Sequence, residues 1–233
     1  MHQKRLSAPK TLKIPRKVSK WVVKPSPGPH NKNALPLLIL VRDLLKLADN
    51  AREARKIIAA GEILVDGVPR KNYKFPIGLF DVISIPKIGK NYRIIFDEKG
   101  RYIPIEIKDY NLKLYKIVNK TIVKGGKIQL NLFGGTNLLV TSNEFKTKDS
   151  LLLKIPEKEI VEHLKFENDA LVMITGGTHA GEIGKIKEYR VIRSSAPNLV
   201  TVKGKKGEIT TIEDYIFVIG KRGSNKPAIN LGV

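Results

Sequence analysis

The order of apolar and polar positions divides the chain into a helical region followed by many short strands. Apolar residues recur at helical spacing from Leu37 to Ala48, which predicts a first helix with one buried stripe. Asn50 followed by Glu53 is typical of a capping box and predicts a second helix, which Gly61 should end. In that second helix the apolar residues should face the core, namely Ala51, Ala54, Ile57 and Ile58. The opposite face carries Arg52, Arg55 and Lys56.

The residues after the second helix predict a small antiparallel sheet. Two apolar runs flank Asp66-Gly67, and this dipeptide is the strongest short signal for a hairpin. Pro69 cannot donate a ladder hydrogen bond, so the second of these strands should lie at a sheet edge. A further strand is predicted over residues 81–85.

The middle of the chain, residues 91–168, also indicates β structure. Alternating runs flank turns at 97–100 and 125–126, a pattern typical of a small barrel or sandwich. The run PEKEIVEHL, residues 156–164, is the one segment here that we expect to be helical.

The last part of the chain predicts a small barrel. An apolar strand after Asp169 leads into a glycine-rich loop, a second strand, a hairpin with a basic turn at 203–207 and a closing strand. Short strands over about fifty residues are typical of an SH3-like barrel.

The charge is high and unevenly distributed. The chain has 233 residues, 43 Lys and Arg against 22 Asp and Glu, and a net charge of +21. Residues 1–36 hold nine Lys and Arg, no Asp or Glu and six prolines. Such a segment buries too little apolar surface to fold alone, so we expect an extended arm that becomes ordered on a polyanion. The chain therefore needs an anionic partner, and nucleic acid is favoured.

Several classes of chemistry are excluded by composition or lack a motif. There is no cysteine, and hence no disulfide, thiolate metal site or cysteine nucleophile. Gly184-Lys185 fails the phosphate-loop pattern, because position 179 is His and position 186 is Ile. The four histidines are far apart and form no metal motif. No apolar run is long enough to span a membrane and no secretory signal begins the chain, so we expect an intracellular protein. Because no motif for such chemistry is found, we also expect no metal, cofactor, catalytic residues or small-molecule substrate.

Basic residues on ordered elements are the candidate RNA contacts. With only 6% aromatic residues, recognition of the RNA backbone and shape is favoured over base stacking. The candidates from the arm and the helical region are Lys4, Arg5, Lys10, Arg16, Lys17, Lys20, Arg42, Lys46, Arg52, Arg55, Lys56, Arg70, Lys71 and Lys74. Those from the last segment are Lys185, Lys203, Lys205 and Lys206.

Residues 2–17, 24–30 and 35–86 closely resemble the ribosomal protein S4e family of archaeal and eukaryotic small subunits, and the resemblance continues along the rest of the chain. It implies an α+β, mostly β, multi-domain architecture. The implied segments are a basic arm (1–36), an RNA-binding module of the ribosomal protein S4 type with two helices (37–90), a β-rich central domain (91–168), a C-terminal KOW barrel (169–220) and a tail (221–233). The tail is short for a eukaryotic member, which favours an archaeal origin.

The resemblance also implies roles for residues. Arg52 and Arg55 fall on RNA-contact positions of the module, and the KOW loop falls on Gly176, Gly177, Gly181 and Gly184. The characteristic glycine of the KOW pattern corresponds to Gly184, where backbone must approach a partner or bend sharply. The implied function is a structural, non-enzymatic constituent of the cytoplasmic small ribosomal subunit, which binds its rRNA and neighbouring ribosomal proteins and supports assembly and translation.

Two alternatives remain open at this point. The same small RNA-binding module accompanies RNA-modifying enzymes, although residues 91–168 carry neither an Asp-centred active site nor a cofactor-binding α/β pattern. The chain could instead be an adaptor whose KOW barrel binds protein.

Overall fold

The computed structural model describes residues 2–30, 34–204 and 207–231, and it divides the chain into two compact units. The first comprises Met1–Asp97, Arg101–Asn111 and Leu231–Val233, and the second comprises Glu98–Gly100 and Leu112–Asn230. Within the described residues the fold is mostly β, with two short α-helices and several antiparallel sheets.

Both predicted helices are present in the first unit, but the first is shorter than expected. Helix α1 spans Leu37–Ile39 and continues as a π-helix over Leu40–Leu44. Lys46 has a left-handed backbone with φ of 53°, so the helix does not continue to Ala48 as its apolar spacing predicted. Helix α2 spans Ala51–Ala59.

The ends of α2 confirm the predicted caps. The Asn50 side-chain oxygen accepts hydrogen bonds from the backbone N–H of Arg52 at 2.9 Å and of Glu53 at 3.0 Å. The Glu53 carboxylate accepts in return from the Asp49 N–H at 3.1 Å. Gly61, just beyond the helix, has φ of 77°, a conformation that favours glycine.

The first unit contains three antiparallel sheets. Its strands are β1 (Gln3–Lys4), β2 (Trp21–Val22), β3 (Leu35–Pro36), β4 (Leu64–Val65), β5 (Val68–Pro69), β6 (Pro76–Ile77), β7 (Val82–Ile85), β8 (Lys90–Phe96) and β9 (Tyr102–Glu106). Strand β1 pairs with β2, β3 pairs with β6, and the remaining strands form a sheet in the order β5-β4-β7-β8-β9. The hairpin at Asp66-Gly67 is confirmed, and β5 with Pro69 is an edge strand. Strand β8 pairs with β7, so the five-stranded sheet continues across the boundary between residues 90 and 91 that the sequence predicted.

The core of the first unit includes side chains of α1 and of the five-stranded sheet. Leu37, Leu38 and Ile39 are fully buried, as are side chains of the sheet such as Ile83. Arg93 on β8 is also fully buried, and its guanidinium donates to the Asp109 carbonyl at 3.0 Å. Burial disfavours the charged form and lowers the pKa of Arg93 to about 10, although the nearby Asp109 opposes this shift.

The composition of the N-terminal segment predicted an extended arm, but in this structure the segment is folded as part of the first unit. Ala8 and Leu12 are buried, and the Tyr102 N–H donates to the Thr11 carbonyl at 2.9 Å. Farther along, His30 Nε2 lies 3.0 and 2.9 Å from the two carboxylate oxygens of Asp81. Hydrogen bonds to backbone carbonyls and one buried His–Asp pair thus order a segment that composition alone indicates to be solvated.

The second unit is built from two five-stranded antiparallel sheets. Its strands are β10 (Leu112–Ile122), β11 (Ile128–Leu132), β12 (Asn137–Val140), β13 (Ser150–Lys154), β14 (Glu159–Leu164), β15 (Ala170–Ile174), β16 (Ile183–Arg190), β17 (Leu199–Gly204), β18 (Gly207–Ile212) and β19 (Ile216–Arg222). One sheet has the order β12-β11-β10-β13-β14 and the other β18-β17-β16-β15-β19. The predicted turn at Gly125-Gly126 is confirmed between β10 and β11.

The helix predicted over residues 156–164 is wrong, because β14 occupies most of this run. Strand β14 pairs with β13 along its length, with a register irregularity between Leu152 and Leu153. Ile160 and Val161 are β-branched and therefore fit a strand, and pairing with β13 outweighs the weak helical signal of the Glu and Lys residues.

Residues in or next to the two sheets of the second unit make aromatic and charged contacts. The Phe133 and Phe217 rings meet edge to face with centroids 6.1 Å apart. Lys116 on β10 is buried, and its ammonium donates to the Asp214 carbonyl at 2.8 Å. Burial lowers the pKa of Lys116 to about 8, while the charge of Asp214 opposes this shift.

Candidate nucleic-acid interface

One face of the first unit gathers six basic side chains from α2 and the loop that follows β5. We call it the cationic face, and it consists of Arg52, Arg55, Lys56, Arg70, Lys71 and Lys74. Ala54 and Ile58 on the opposite side of α2 are fully buried. The predicted division of this helix into a core side and a basic side is therefore confirmed, with the three basic residues of α2 exposed.

Hydrogen bonds to α1 fix the loop of residues 70–75. The Leu37 N–H donates to the Phe75 carbonyl and the Leu38 N–H donates to the Tyr73 carbonyl, both at 3.0 Å. Within the loop, the Asn72 side-chain oxygen accepts from the Lys74 N–H at 2.9 Å. Because α1 is buried in the core, the loop has a fixed position beside α2.

Aromatic rings of this loop lie against the basic groups of the cationic face. The Arg55 guanidinium carbon is 4.5 Å from the centroid of the Tyr73 ring, and the Lys74 ammonium is 5.5 Å from the same ring. The Arg70 guanidinium carbon is 4.5 Å from the Phe75 ring. These distances are within the range of cation–π attraction. Tyr73 and Phe75 are not among the candidates that the sequence indicated, although cationic and aromatic side chains alternate from Tyr73 to Phe75.

The positive charge of the cationic face is not compensated within the described part of the chain. No ion pair there joins any of its six side chains to a carboxylate. Glu53, the acidic residue of α2, is engaged in the N-terminal cap. Uncompensated cations on a rigid surface attract phosphate groups, whose binding releases condensed counterions.

Two other predicted RNA contacts, Arg42 and Lys46, have different surroundings. The Arg42 guanidinium is bidentate on Asp43, with donor–acceptor distances of 2.9 and 2.8 Å. This hydrogen bonding raises the pKa of Arg42, and Asp43 also neutralises its charge locally. Lys46 is exposed beyond the end of the helix rather than one helical turn from Arg42.

Comparison with known proteins assigns the chain. Three family models match, described as "Ribosomal family S4e" over residues 88–160, "RS4NT (NUC023) domain" over 1–33 and "S4 domain" over 36–83. A protein of Archaeoglobus fulgidus named "Small ribosomal subunit protein eS4" is 75% identical over 233 residues, which cover 100% of this chain and 99% of that protein. The chain belongs to the ribosomal protein S4e family.

Other S4e proteins agree with this assignment. One from Methanothermobacter thermautotrophicus is 55% identical over 224 residues, covering 94% of this chain and 92% of the relative. The crystal structure of the 30S ribosomal protein S4e from Thermoplasma acidophilum superimposes with a TM-score of 0.69 at 32% identity, covering 81% of this chain and 95% of that chain. Archaeal proteins dominate the relatives.

The N-terminal candidates of this S4e chain fall into two groups. Lys4, Lys10, Lys17 and Lys20 are exposed. Arg5 and Arg16 instead bind backbone: the Arg5 guanidinium donates to the Pro15 carbonyl at 2.8 Å, and that of Arg16 donates to the Ala8 carbonyl at 2.7 Å. These two arginines therefore hold the segment in its fold.

The glycines of the predicted KOW loop occupy positions where a side chain would not fit or would be strained. A Cβ atom on Gly184 would lie 2.5 Å from the Lys203 carbonyl oxygen, and one on Gly176 would lie 2.6 Å from the Tyr215 ring. Gly177 and Gly181 have φ of 79° and 95°, a conformation that favours glycine. At Gly184 the neighbour that approaches is strand β17 of the same sheet.

The basic candidates of the last segment do not form one cluster in the described residues. The Lys185 ammonium lies 3.7 Å from the Asp169 carboxylate. Lys203 is exposed near the end of β17. Lys205 and Lys206 lie outside the described residues.

No group of three or more His, Asp or Glu side chains among the described residues could hold a metal ion. His179 lies 3.0 Å from the Glu182 carboxylate. In the described part of the chain, no helix has the length and apolar character needed to cross a membrane.

Proposed function

We propose that this S4e chain is a structural constituent of the small ribosomal subunit, where it binds small-subunit rRNA and supports assembly and translation. The observation that carries the proposal is the cationic face: six uncompensated basic groups, three of them in contact with aromatic rings. Relatives that match over nearly their whole length are named small ribosomal subunit proteins. A protein that binds a large folded RNA needs such a surface, because phosphate contacts supply most of its affinity.

The cationic face favours contacts with the RNA backbone. Its guanidinium groups carry planar arrays of donors that match two phosphate oxygens at once. Arg55 and Arg70 each lie over the ring of Tyr73 or Phe75, so these rings orient cations. Backbone recognition fits the shape-dependent binding typical of folded RNA.

The finer division of the chain is part of this proposal. We assign residues 1–36 to the N-terminal basic segment, 37–90 to the RNA-binding module, 91–168 to the central region, 169–220 to a KOW barrel and 221–233 to a tail. The antiparallel order β18-β17-β16-β15-β19 supports the barrel, because closing such a sheet between β18 and β19 gives a small five-stranded barrel. The glycine geometry around Gly184 supports the KOW assignment.

The partners follow from the proposed location. We assign the chain to the cytoplasmic small subunit, in contact with rRNA and neighbouring ribosomal proteins, and to neither a membrane nor a small-molecule substrate. A ribosomal protein family is not an enzyme class, and we assign the chain no catalytic role and no cofactor.

Crosslinking in the intact particle tests this proposal. A tagged copy of the full chain is expressed in a host that assembles small subunits, particles are isolated, and protein–RNA crosslinks are mapped by mass spectrometry. We expect crosslinks from peptides containing Arg52, Arg55 and Lys74 to small-subunit rRNA. Absence of the protein from small subunits, or crosslinks only to other RNA, would overturn the proposal.

A further inference from the structure

Residues 2–24 form a small folded lobe with exposed apolar and basic side chains. We call residues 2–24 the N-terminal lobe. Its strands β1 and β2 pair Gln3 with Val22 and Lys4 with Trp21. The connecting segment is held by guanidinium groups, since Arg16 donates to the Ala8 carbonyl at 2.7 Å and to the Pro9 carbonyl at 3.0 Å. The lobe is thus preorganised through its backbone.

Large apolar side chains of this lobe are exposed to solvent. Leu6 is 71% exposed, Val18 is 75% exposed and Trp21 is 49% exposed. Leu12 of the same lobe is buried, whereas these three side chains are exposed. Exposed apolar groups on a fixed backbone mark a surface that another molecule can cover.

Basic side chains surround two of these apolar residues in a cavity of about 590 Å³. Leu6 and Val18 line the cavity together with four cations, Lys4, Arg16, Lys17 and Lys20. Trp21 lies directly across the strand pair from Lys4, so their side chains project from the same face. The Lys20 ammonium is 5.1 Å from the centroid of the Trp21 ring.

The combination of charge and apolar surface identifies the ligand chemistry. Residues 1–36 contain no Asp or Glu, so no local carboxylate competes for these cations. A ligand that matches the cavity is anionic and also carries a flat apolar part. A nucleotide has both, and the cavity volume lies within the range of about 300–1,000 Å³ common for small-ligand pockets.

We propose that the N-terminal lobe holds one unpaired nucleotide of RNA. Its base packs on Leu6 and Val18 beside Trp21, and its phosphates bind Lys4, Lys17 and Lys20. This inference rests on the proposed function, since it takes rRNA as the partner. It adds to that function a contact with a base, whereas the cationic face binds backbone.

Fluorescence of the full chain gives a direct readout, because Trp21 is the one tryptophan of the sequence. The titrants are two single-stranded RNA oligonucleotides of equal length, one complete and one with its central nucleotides abasic. We expect the complete oligonucleotide to change Trp21 emission and to bind about tenfold more tightly than the abasic one, which is the order of affinity that one stacked base supplies. Equal affinities with equal emission changes would overturn the inference, because the lobe would then bind phosphate only.

Two variants locate the effect. Leu6→Ser with Val18→Ser removes exposed side chains and should abolish the preference for the complete oligonucleotide while retaining affinity for the abasic one. The matched control is Val161→Ser with Val191→Ser, which are 56% and 62% exposed in the second unit and should leave the preference intact. A preference that survives in the Leu6/Val18 variant would overturn the inference.

Two further measurements separate this inference from its alternatives. Binding of labelled small-subunit rRNA is measured in parallel, so that intact rRNA binding without a base preference refutes the lobe site alone. Failure of the wild-type chain to bind rRNA would refute the proposed function as well. Vesicles containing anionic lipid should leave Trp21 emission unchanged, and a lipid response without an oligonucleotide response would overturn the inference in favour of a membrane surface.

Discussion

The guanidinium of Arg55 lies 4.5 Å from the centroid of the Tyr73 ring, which joins α2 to the loop of residues 70–75 across the cationic face. The contact restricts a long side chain that would otherwise sample many rotamers in water. A side chain held in position loses less conformational entropy when it binds a phosphate. Arg55 should therefore contribute more to RNA affinity than an exposed arginine without such a partner.

Arg52 offers the matched comparison, because it is exposed on the same helix and has no aromatic contact in the described residues. We predict that Arg55→Ala weakens rRNA binding about five- to tenfold at 0.1 M salt, which is the affinity that we attribute to one phosphate contact. Arg52→Ala should weaken rRNA binding less. Unfolding free energies should change by at most about 1 kcal/mol in either variant. Filter binding and urea denaturation measure the two quantities.

The role of the ring is tested separately. Tyr73→Phe keeps the aromatic face and should keep rRNA affinity, whereas Tyr73→Leu should lower it. Equal affinities of the two variants would show that the ring does not orient Arg55.

Gly184 should be required for the packing of β16 against β17. A Cβ atom would lie 2.5 Å from the Lys203 carbonyl oxygen, so Gly184→Ala forces the strands apart. We predict a loss of about 1–3 kcal/mol in the free energy of unfolding, measured by urea denaturation. Gly204 on β17 pairs directly with Gly184, and a Cβ atom there would have its nearest neighbour at 3.5 Å. Gly204→Ala should therefore be tolerated, and an equal loss in both variants would contradict this explanation.

The N-terminal cap of α2 should stabilise the helix that carries the cationic face. Asn50→Ala removes the acceptor for the N–H groups of Arg52 and Glu53, and we predict a loss of about 1 kcal/mol in unfolding free energy. Asn50→Ser retains a capping oxygen and should stay close to wild type. Hydrogen exchange of the amides in the first turn of α2 should accelerate in the alanine variant only, and unchanged exchange there would refute the role of the cap.

The buried Lys116 should make stability depend on pH in the alkaline range. Its folded pKa of about 8 lies below its ordinary value of 10.5, so between these pH values the unfolded chain binds a proton that the folded chain has released. Stability therefore rises with pH over this window, and below pH 8 the unfavourable contribution of the buried charge is fully present. The rise attributable to Lys116 is at most about 1.4 kcal/mol per pH unit.

Lys116→Met isolates this contribution from other titrating groups. Urea denaturation from pH 7 to 10 measures the unfolding free energy of both proteins. As pH rises above 8, the unfolding free energy of the wild type should increase relative to that of the variant. Parallel pH profiles for the two proteins would contradict the assigned pKa shift.

Local signals in the sequence were sufficient to predict much of the fold. Asn50 with Glu53 and the Asp66-Gly67 dipeptide act through the backbone within a few residues, so their caps and turns were found where expected. The run containing Ile160 and Val161 was predicted wrongly, because pairing with β13 is a contact between strands that periodicity does not contain. The folding of the N-terminal segment depends on Arg5 and Arg16 binding carbonyls of nonadjacent residues, which composition cannot indicate.

Of the candidate interface, too, the sequence predicted the local features and not the contacts between different elements. The basic side of α2 follows from helical spacing, and the structure exposes it. The contact between Arg55 and Tyr73 joins residues on different elements and arises only when hydrogen bonds to α1 fix the loop. Sequence spacing therefore identified the cations, and tertiary structure was needed to find what orients them.

The salt dependence of binding to small-subunit rRNA tests the central claim that the cationic face holds RNA through its phosphates. Affinities of the wild type and of the triple variant Arg52→Ala, Arg55→Ala, Lys74→Ala are measured from 50 to 200 mM salt. With six to ten phosphate contacts, we predict that the wild-type affinity falls about 10³- to 10⁵-fold over this range. The logarithmic slope of the triple variant should be shallower by about one for each cation removed. A flat wild-type profile, or identical slopes for the two proteins, would contradict the account.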